Sequence, residues 1–391
     1  MRVVDFQNPP VASSETARYI NRRIVLNLIR RRQPISRADL ARFSGLQRST
    51  VSAISEQLLE EKWITKGATG RLPRGRRPTF LRLNNKRAII CVDIRPARIT
   101  LAVADINGHF SSSETIPTPP KPQTALRELT VRIRQLIRSR GDIDFEGIGV
   151  SLPGRIDLRT QELIFAPNLR WPACDLKTPL AGATGLEVDL ENAANACAMA
   201  EIWFGNAGQV TSLVALTVSE GIGAGVIANG QLLRGHVGMA GEFGHMPLDP
   251  AGPLCSCGNR GCWEVLGSNR AAVRYYLESA ATDNQIEFQD LLARASHGDV
   301  RAGKALDTMA GYVARGVQIV VAGLAPEAIV FVGELTADWN RFQPVIETAA
   351  KAQAVAGNTP RIIAAKEGAM ARLRGTVALV LYKHFGVPQV S

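Results

Sequence analysis

Two stretches of this chain follow the same plan, and that repetition narrows the fold more than any other feature. "AIICVDIRPARITLAVADINGHF", from Ala88 to Phe110, is an apolar run, a short break, a second apolar run and then Asn107-Gly108. "SLVALTVSEGIGAGVIANGQLL", from Ser212 to Leu233, keeps that order and ends in Asn229-Gly230. Asn-Gly supplies the left-handed backbone that tight hairpins need, so each stretch reads as strand, turn, strand. With helical stretches between them, the two units predict two similar α/β lobes facing a cleft.

Charge is spread unevenly. The net charge is +11 over 391 residues, but residues 1–88 hold 19 Lys/Arg against 6 Asp/Glu, and the remainder holds 27 against 29. A short segment with that excess is an electrostatic footprint for a polyanion, and nucleic acid is the first candidate. The 46% apolar and 21% charged content is otherwise that of a globular chain with a sizeable core. The longest apolar region, Val317 to Val332, is interrupted by Gly323, Pro326 and Glu327 and does not read as a membrane span. No charged-then-apolar signal region opens the chain, so a cytoplasmic protein with no membrane partner is expected. Cys91, Cys174 and Cys197 stand in apolar surroundings and read as reduced core residues.

Within the basic segment, residues 1–14 mix Pro, Ser and Asn without periodicity and read as a flexible arm. Ile20, Ile24 and Leu28 then mark one face of a helix that carries Arg22, Arg23, Arg30 and Arg31 elsewhere. Ser36, with Asp39 three residues on, starts a short second helix that Gly45 stops. A third helix follows, with Val51, Ile54 and Leu58 inward and Gln47, Arg48, Ser49, Thr50 and Ser52 free at its beginning. Three such helices spell helix-turn-helix, and polar and cationic side chains at the start of the third suit base edges and phosphates in a major groove. "WITKGATGRLPRGRRPTFLRL" reads as two strands around a tip crowded with Arg71, Arg74, Arg76 and Arg77, a wing suited to the minor groove of A·T-rich DNA. A small helical bundle with a solvated linker is the alternative. The expected organisation is an arm over 1–14, a winged helix-turn-helix over 15–86 and an α/β body over 87–391.

"GHMPLDPAGPLCSCGNRGCWE", Gly244 to Glu264, places His245, Cys255, Cys257 and Cys262 close together. Three thiolates and an imidazole complete a tetrahedral shell, and closed sites of this type hold structural zinc; reactive free thiols are the alternative. Contact with DNA is disfavoured here, because Arg260 is the one basic residue among these ligands.

With the hairpins, "GVSLPGRID", "ENAANACAMAE", "GEFGH", "CSCGNRGCWE" and "LAPEAIVFVGE", the chain resembles the ROK family (repressor, open reading frame, kinase) from Ala88 to Phe385. The resemblance implies the two-lobed architecture of the sugar kinase, actin and Hsp70 group, whose two turns hold the phosphates of ATP. It implies zinc on the four ligands of the segment 242–264. It also implies sugar contacts from Gly154, Arg155, Asn168, Asn192, Glu242, His245 and Glu264. Carboxylates suit that role, since each accepts paired hydrogen bonds from adjacent hydroxyls. Members preceded by a winged helix-turn-helix are sugar-responsive repressors, among them the xylose and N-acetylglucosamine regulators, whereas members without it are mostly kinases.

The kinase machinery departs from the family pattern. The base, Asp in the kinases after Glu-Asn, is here Ala193, which takes no proton. The first phosphate turn, usually Asp-Ile-Gly-Gly-Thr, reads Asp93, Ile94, Arg95, Pro96, Ala97. The second, usually Gly-Thr-Gly, reads Ser219, Glu220, Gly221, and the Gly-Gly on the adenosine side reads Gly333, Glu334. The expected protein is therefore a DNA-binding regulator of carbohydrate metabolism, in the repressor class and not an enzyme. It would hold zinc but no ATP, respond to a sugar or sugar derivative, and bind an inverted-repeat operator as a homodimer or dimer of dimers. Two alternatives stand beside it: an active sugar kinase with a DNA-binding arm, and a regulator sequestered by a transporter protein instead of a sugar.

Overall fold

The structure, a computed structural model, describes residues 14–69, 79–208, 210–279, 286–354, 357 and 359–386. Residues 1–13 of the expected arm, and Arg71, Arg74, Arg76 and Arg77 of the expected wing tip, lie outside the described residues.

The N-terminal part is a head of three helices and a small sheet. Its elements are α1 (Ser14–Arg32), β1 (Ile35–Ser36), α2 (Arg37–Ser44), α3 (Arg48–Glu60), β2 (Ile64–Thr69) and β3 (Thr79–Leu83). Ser36 caps α2, its Oγ accepting from the Asp39 amide at 3.1 Å, and Gly45 ends that helix with φ 71°. The strands form an antiparallel sheet in the order β1-β3-β2. Val51, Ile54 and Leu58 of α3 are buried, as their spacing predicts. The face of α1 is different: Ile20, Ile24 and Leu28 are half-buried, and Val25, Leu26 and Ile29 are the sealed positions. A helix with one partner buries a single stripe, but α1 also packs against the C-terminal helix of the body. Val25, Leu26, Leu58 and Trp63 share one apolar core with Ile89, Cys91, Leu373, Val377 and Phe385. Packing is thus continuous across the expected boundary between 86 and 87.

The first lobe contains β4 (Arg87–Ile94), β5 (Arg98–Asp105), β6 (Phe110–Pro117), α4 (Pro122–Ser139), β7 (Asp144–Leu152), β8 (Arg155–Ile156), β9 (Leu163–Phe165), α5 (Lys177–Thr184), β10 (Val188–Asn192) and α6 (Ala193–Phe204). The second contains β11 (Leu213–Val218), β12 (Ile222–Ala228), β13 (Gln231–Leu232), α7 (Trp263–Gly267), α8 (Asn269–Ser279), α9 (Phe288–Ser296), α10 (Val300–Leu324), β14 (Ala328–Val332), α11 (Trp339–Gln353) and β15 (Arg361–Ala364), after which α12 (Gly368–Phe385) returns to the sheet of the first. The two sheets run β10-β7-β4-β5-β6 and β13-β12-β11-β14-β15, each an antiparallel hairpin region extended by parallel strands. Both expected hairpins are present. Asn229 and Gly230 are both left-handed, at φ 52° and 73°, whereas at the first turn Gly108 alone is, at φ 82°.

Helices α6 and α12 pack on each other between the sheets, α12 against β4 and β7 and α6 against β11 and β12. The apolar run from Val317 to Val332 divides into the end of α10 and strand β14, and among the described residues no helix is long and apolar enough to cross a membrane.

Candidate functional site

A cleft of about 560 Å³ opens between the lobes. All seven residues expected to meet a sugar line it: Gly154, Arg155, Asn168 and Asn192 from the first lobe, Glu242, His245 and Glu264 from the second. Gly154 lies in the two-residue turn between β7 and β8, and Arg155 opens β8. Asn192 ends β10 and caps α6, its Oδ1 accepting from the Ala194 amide at 2.8 Å while its Nδ2 donates to the Gly154 carbonyl at 2.8 Å. Those bonds fix the amide and leave one N–H and one lone pair for a ligand. Asn168 Oδ1 accepts from Arg270 Nη1 at 3.3 Å. Glu242 and His245 bound a short 3-10 turn.

Glu264 stands in the first turn of α7 and accepts from the Ile222 amide at 3.2 Å. Burial pushes its carboxyl above the usual range, against the opposing pull of His245 and that amide. The carboxylate approaches the Gly221 backbone so closely that a Cβ there would stand 2.2 Å from Glu264 Oε2 and displace it.

The Cys/His cluster forms the wall behind Glu242. The donor atoms of His245, Cys255, Cys257 and Cys262 lie within 4.8 Å of one another. Cys255 Sγ is 3.6 Å from His245 Nδ1, and Cys257 Sγ is 3.6 Å from Cys262 Sγ. A tetrahedron with metal–sulfur arms of about 2.3 Å has edges of about 3.8 Å, so the donor set fits a tetrahedral metal ion. The imidazole is used from both sides, because Nε2 lies 3.8 Å from Glu242 Oε2. Burial pushes the Cys262 thiol up to about 12. Cys257 lies below its ordinary value, burial being outweighed by hydrogen bonds from the Asn259 amide and the two neighbouring thiols. Cys91 and Cys197 are sealed in the core and Cys174 is half-buried.

The other half of the cleft is occupied by the protein's own charges. Arg95, 8% exposed, donates from Nε to Asp93 Oδ2 at 2.9 Å and reaches across the cleft to Glu334 Oε1 at 3.5 Å. Burial lowers its guanidinium, but Asp93, Glu334 and Glu220 more than reverse the effect. Glu334 in turn accepts from Asn269 Nδ2 at 3.0 Å. Arg372 of α12 donates to Ser219 Oγ at 3.1 Å and lines the cleft beside Glu220. Sequence reasoning missed Arg372; the available signal was a pair of cations, Arg372 and Arg374, among small and apolar residues in "GAMARLRGTVALV". It also missed Arg234, which donates to the buried Glu191 at 2.6 Å. Ala193 is the first residue of α6 and faces the same cleft.

On the head, Gln47, Arg48 and Ser49 are exposed at the start of α3, with Thr50 and Ser52 half-buried. Three of the arginines expected off the apolar face of α1 are engaged by the protein itself. Arg22 pairs with Glu61 and Arg23 donates to the Lys383 carbonyl. Arg30 lies 4.5 Å over the Trp203 ring and donates to the Trp203 carbonyl at 3.1 Å. Burial brings the Arg30 guanidinium down to about 10. Arg23 and Arg30 thus dock the head on the body and Arg22 ties α1 to the end of α3, although sequence counting assigns all three charges to the polyanion.

The ROK family pattern matches residues 89–383. The xylose repressor of Bacillus spizizenii is 33% identical over 330 residues, covering 82% of this chain and 83% of that protein. The glucokinase of Streptomyces coelicolor is 30% identical over 308 residues, covering 74% of this chain and 96% of the kinase. The crystal structure of a ROK family transcriptional regulator, described as a homolog of the E. coli MLC protein, superposes with a TM-score of 0.83 at 25% identity, covering 95% of this chain and 98% of that one. With its two hairpin-built lobes, its Cys/His wall and these relatives, the chain belongs to the ROK family.

Proposed function

We propose that the protein is a sugar-responsive transcription regulator, in the repressor class, with a winged helix-turn-helix over residues 15–86 and a catalytically inert kinase-like body over 87–391. One observation carries this reading. Ala193 stands in the cleft that Glu242, His245 and Glu264 also line, so the residues suited to sugar hydroxyls face a methyl group where transfer needs a base. Two further features support it. Arg95 and Glu220 put a cation bound to carboxylates and a carboxylate into the two turns that would have to cradle phosphate, which opposes ATP binding. Naming among the relatives also favours it, since a repressor matches over 82% of the chain and a transcriptional regulator superposes over 95% of it, head included.

In this reading Glu242, Glu264, Asn168 and Asn192 take the hydroxyls, while Gly154 and Arg155 close the pocket from the first lobe. His245, Cys255, Cys257 and Cys262 would hold Zn²⁺, which supplies a fixed brace for the Glu242 side of the pocket and no reaction step. Gln47, Arg48, Ser49, Thr50 and Ser52 would enter the major groove, with Arg71, Arg74, Arg76 and Arg77 at the minor groove. A homodimer or dimer of dimers on an inverted repeat follows from the usual geometry of such readers.

The test uses the full chain, genomic fragments selected by binding, and a panel of hexoses and pentoses. A sugar that raises the melting temperature and changes the affinity for the selected fragment, with no ATP consumed in a coupled assay, is the expected result. Sugar-dependent ATP turnover would overturn the inert body, and DNA binding indifferent to every sugar would overturn the sensing role.

A further inference from the structure

Helix α12 has one end in the cleft and the other under the head. At the cleft end, Arg372 is 6% exposed and its Nη2 bonds Ser219, but its buried Nε has no hydrogen-bond partner. A buried N–H left unmet is costly, so a small shift of this side chain, which already lines the cleft, would let a ligand oxygen supply the bond that the protein alone lacks. At the far end, the last four carbonyls of any helix lack partners within it. Here α1 supplies them from outside: the Lys383 carbonyl accepts from Tyr19 Oη at 3.4 Å and from Arg23, and the Phe385 carbonyl accepts from Asn27. Trp63, at the start of β2, adds ring contacts to His384 and Phe385 at 4.5 and 5.7 Å.

Between these ends there is little slack. A Cβ on Gly375 would stand 2.0 Å from the Ala196 carbonyl, so α12 and α6 meet backbone to backbone. Helix α6 begins at Asn192 and Ala193, which line the cleft. The span from Arg372 to Phe385 is roughly 20 Å of helix at 1.5 Å per residue. A packed helix of this kind moves as a body, by shifts of roughly 1–2 Å, before it bends.

We propose that α12 is the element by which the occupant of the cleft sets DNA affinity: Arg372 donates to an oxygen of the ligand, and the caps from Tyr19, Arg23 and Asn27 carry the resulting shift into α1. The proposal rests on the reading of the cleft as a sugar site and of the head as a DNA reader. It adds a ligand contact and a coupling contact that are separable from both.

The experiment takes D-glucose, D-xylose and N-acetyl-D-glucosamine as probes on the full chain and keeps the one that raises the melting temperature. DNA affinity is then measured with and without it for the wild type, for Arg372→Lys and for the double variant Arg23→Gln, Asn27→Ala. The wild type is expected to change affinity at least about fivefold on adding the sugar. The double variant should retain the sugar's melting shift and its sugar-free DNA binding while responding less than about twofold. Arg372→Lys should weaken the sugar itself. Because the double variant also loosens the head, hydrogen exchange on the wild type supplies a second readout, and the sugar should alter exchange across residues 380–386. A double variant that responds as the wild type does, or exchange unchanged at 380–386 while DNA affinity responds, overturns the proposal alone. No melting shift with any of the three sugars overturns it together with the sensing role on which it rests.

Discussion

The imidazole of His384 lies 4.5 Å from the ring of Trp63, centroid to centroid, at the seam where the head meets the body. Burial, with Lys383, Arg22 and Arg87 close by, lowers its pKa from 6.5 to about 4, while Glu187 opposes the shift and Glu146 lies 3.9 Å away. The folded state therefore holds this ring neutral. Stability is full above the unfolded value of 6.5 and is lost as the pH falls toward about 4. The loss is on the order of 1–2 kcal/mol, allowing for solvent screening of a ring that is not fully buried. Thermal unfolding from pH 7 to 4.5 should show a fall in melting temperature that His384→Phe reduces; equal slopes in the two proteins would refute the assignment.

Arg48 and Arg30 offer a way to separate the proposed DNA contact from docking of the head. Arg48 is exposed at the start of α3, whereas Arg30 is spent on Trp203. Arg48→Ala should weaken DNA binding and, if it meets a phosphate, flatten the salt dependence by about one unit of slope. Arg30→Ala should lower the melting temperature and leave the slope unchanged. Titrations at several salt concentrations, with melting curves on the same samples, distinguish the two.

Restoring the missing base should not restore a kinase. In Ala193→Asp a carboxylate would again face the cleft, but Arg95 would remain tied to Asp93 and Glu334, and Glu220 would still occupy the second turn. A coupled assay should detect no sugar-dependent ATP consumption. Turnover in this single variant would mean that the two altered turns still accept phosphate.

The Cys/His wall gives a prediction about metal. The purified chain should carry about one zinc. Cys257→Ser should cost more than the roughly 10–100-fold in metal affinity that losing an outer-shell partner costs. Elemental analysis and chelator titration check this, and a metal-free wild type that melts like the untreated protein would count against a structural ion.

Behind that wall, Trp263 is fully buried against α10, and a Cβ on Gly316 would stand 1.9 Å from its ring. Gly316→Ala should therefore destabilise the protein by about 1–3 kcal/mol through overpacking, against a gain of up to about 1 kcal/mol in helix propensity. Denaturant unfolding measures the net, and a stabilised variant would show that the ring has room to move.

The sequence made the hairpins, the caps of α2 and the Cys/His cluster legible, because each depends on a few neighbouring residues whose chemistry admits one geometry. Asn-Gly makes a turn at both 107–108 and 229–230, although only the second pair has both residues left-handed. The seven sugar-side residues could be named through the family pattern, and the structure brings all of them to one cleft. The partners of α1 were not legible. Which of Arg22, Arg23 and Arg30 faces solvent depends on Glu61, Lys383 and Trp203, far away along the chain, and periodicity within one helix carries no information about a second neighbour. Arg372 escaped for a similar reason, since its meaning comes from Ser219 across the cleft.

The core that joins Leu26 and Trp63 to Val377 and Phe385 has a consequence for how such chains can be recombined. A head with different DNA preferences could not be exchanged as a cassette cut at residue 87, because its inner face is completed by residues from the last turns of α12. A functional chimera would have to take α1 and α12 from the same parent, so if the head reads DNA as proposed, a new preference is more readily reached by changing α3 in place than by shuffling.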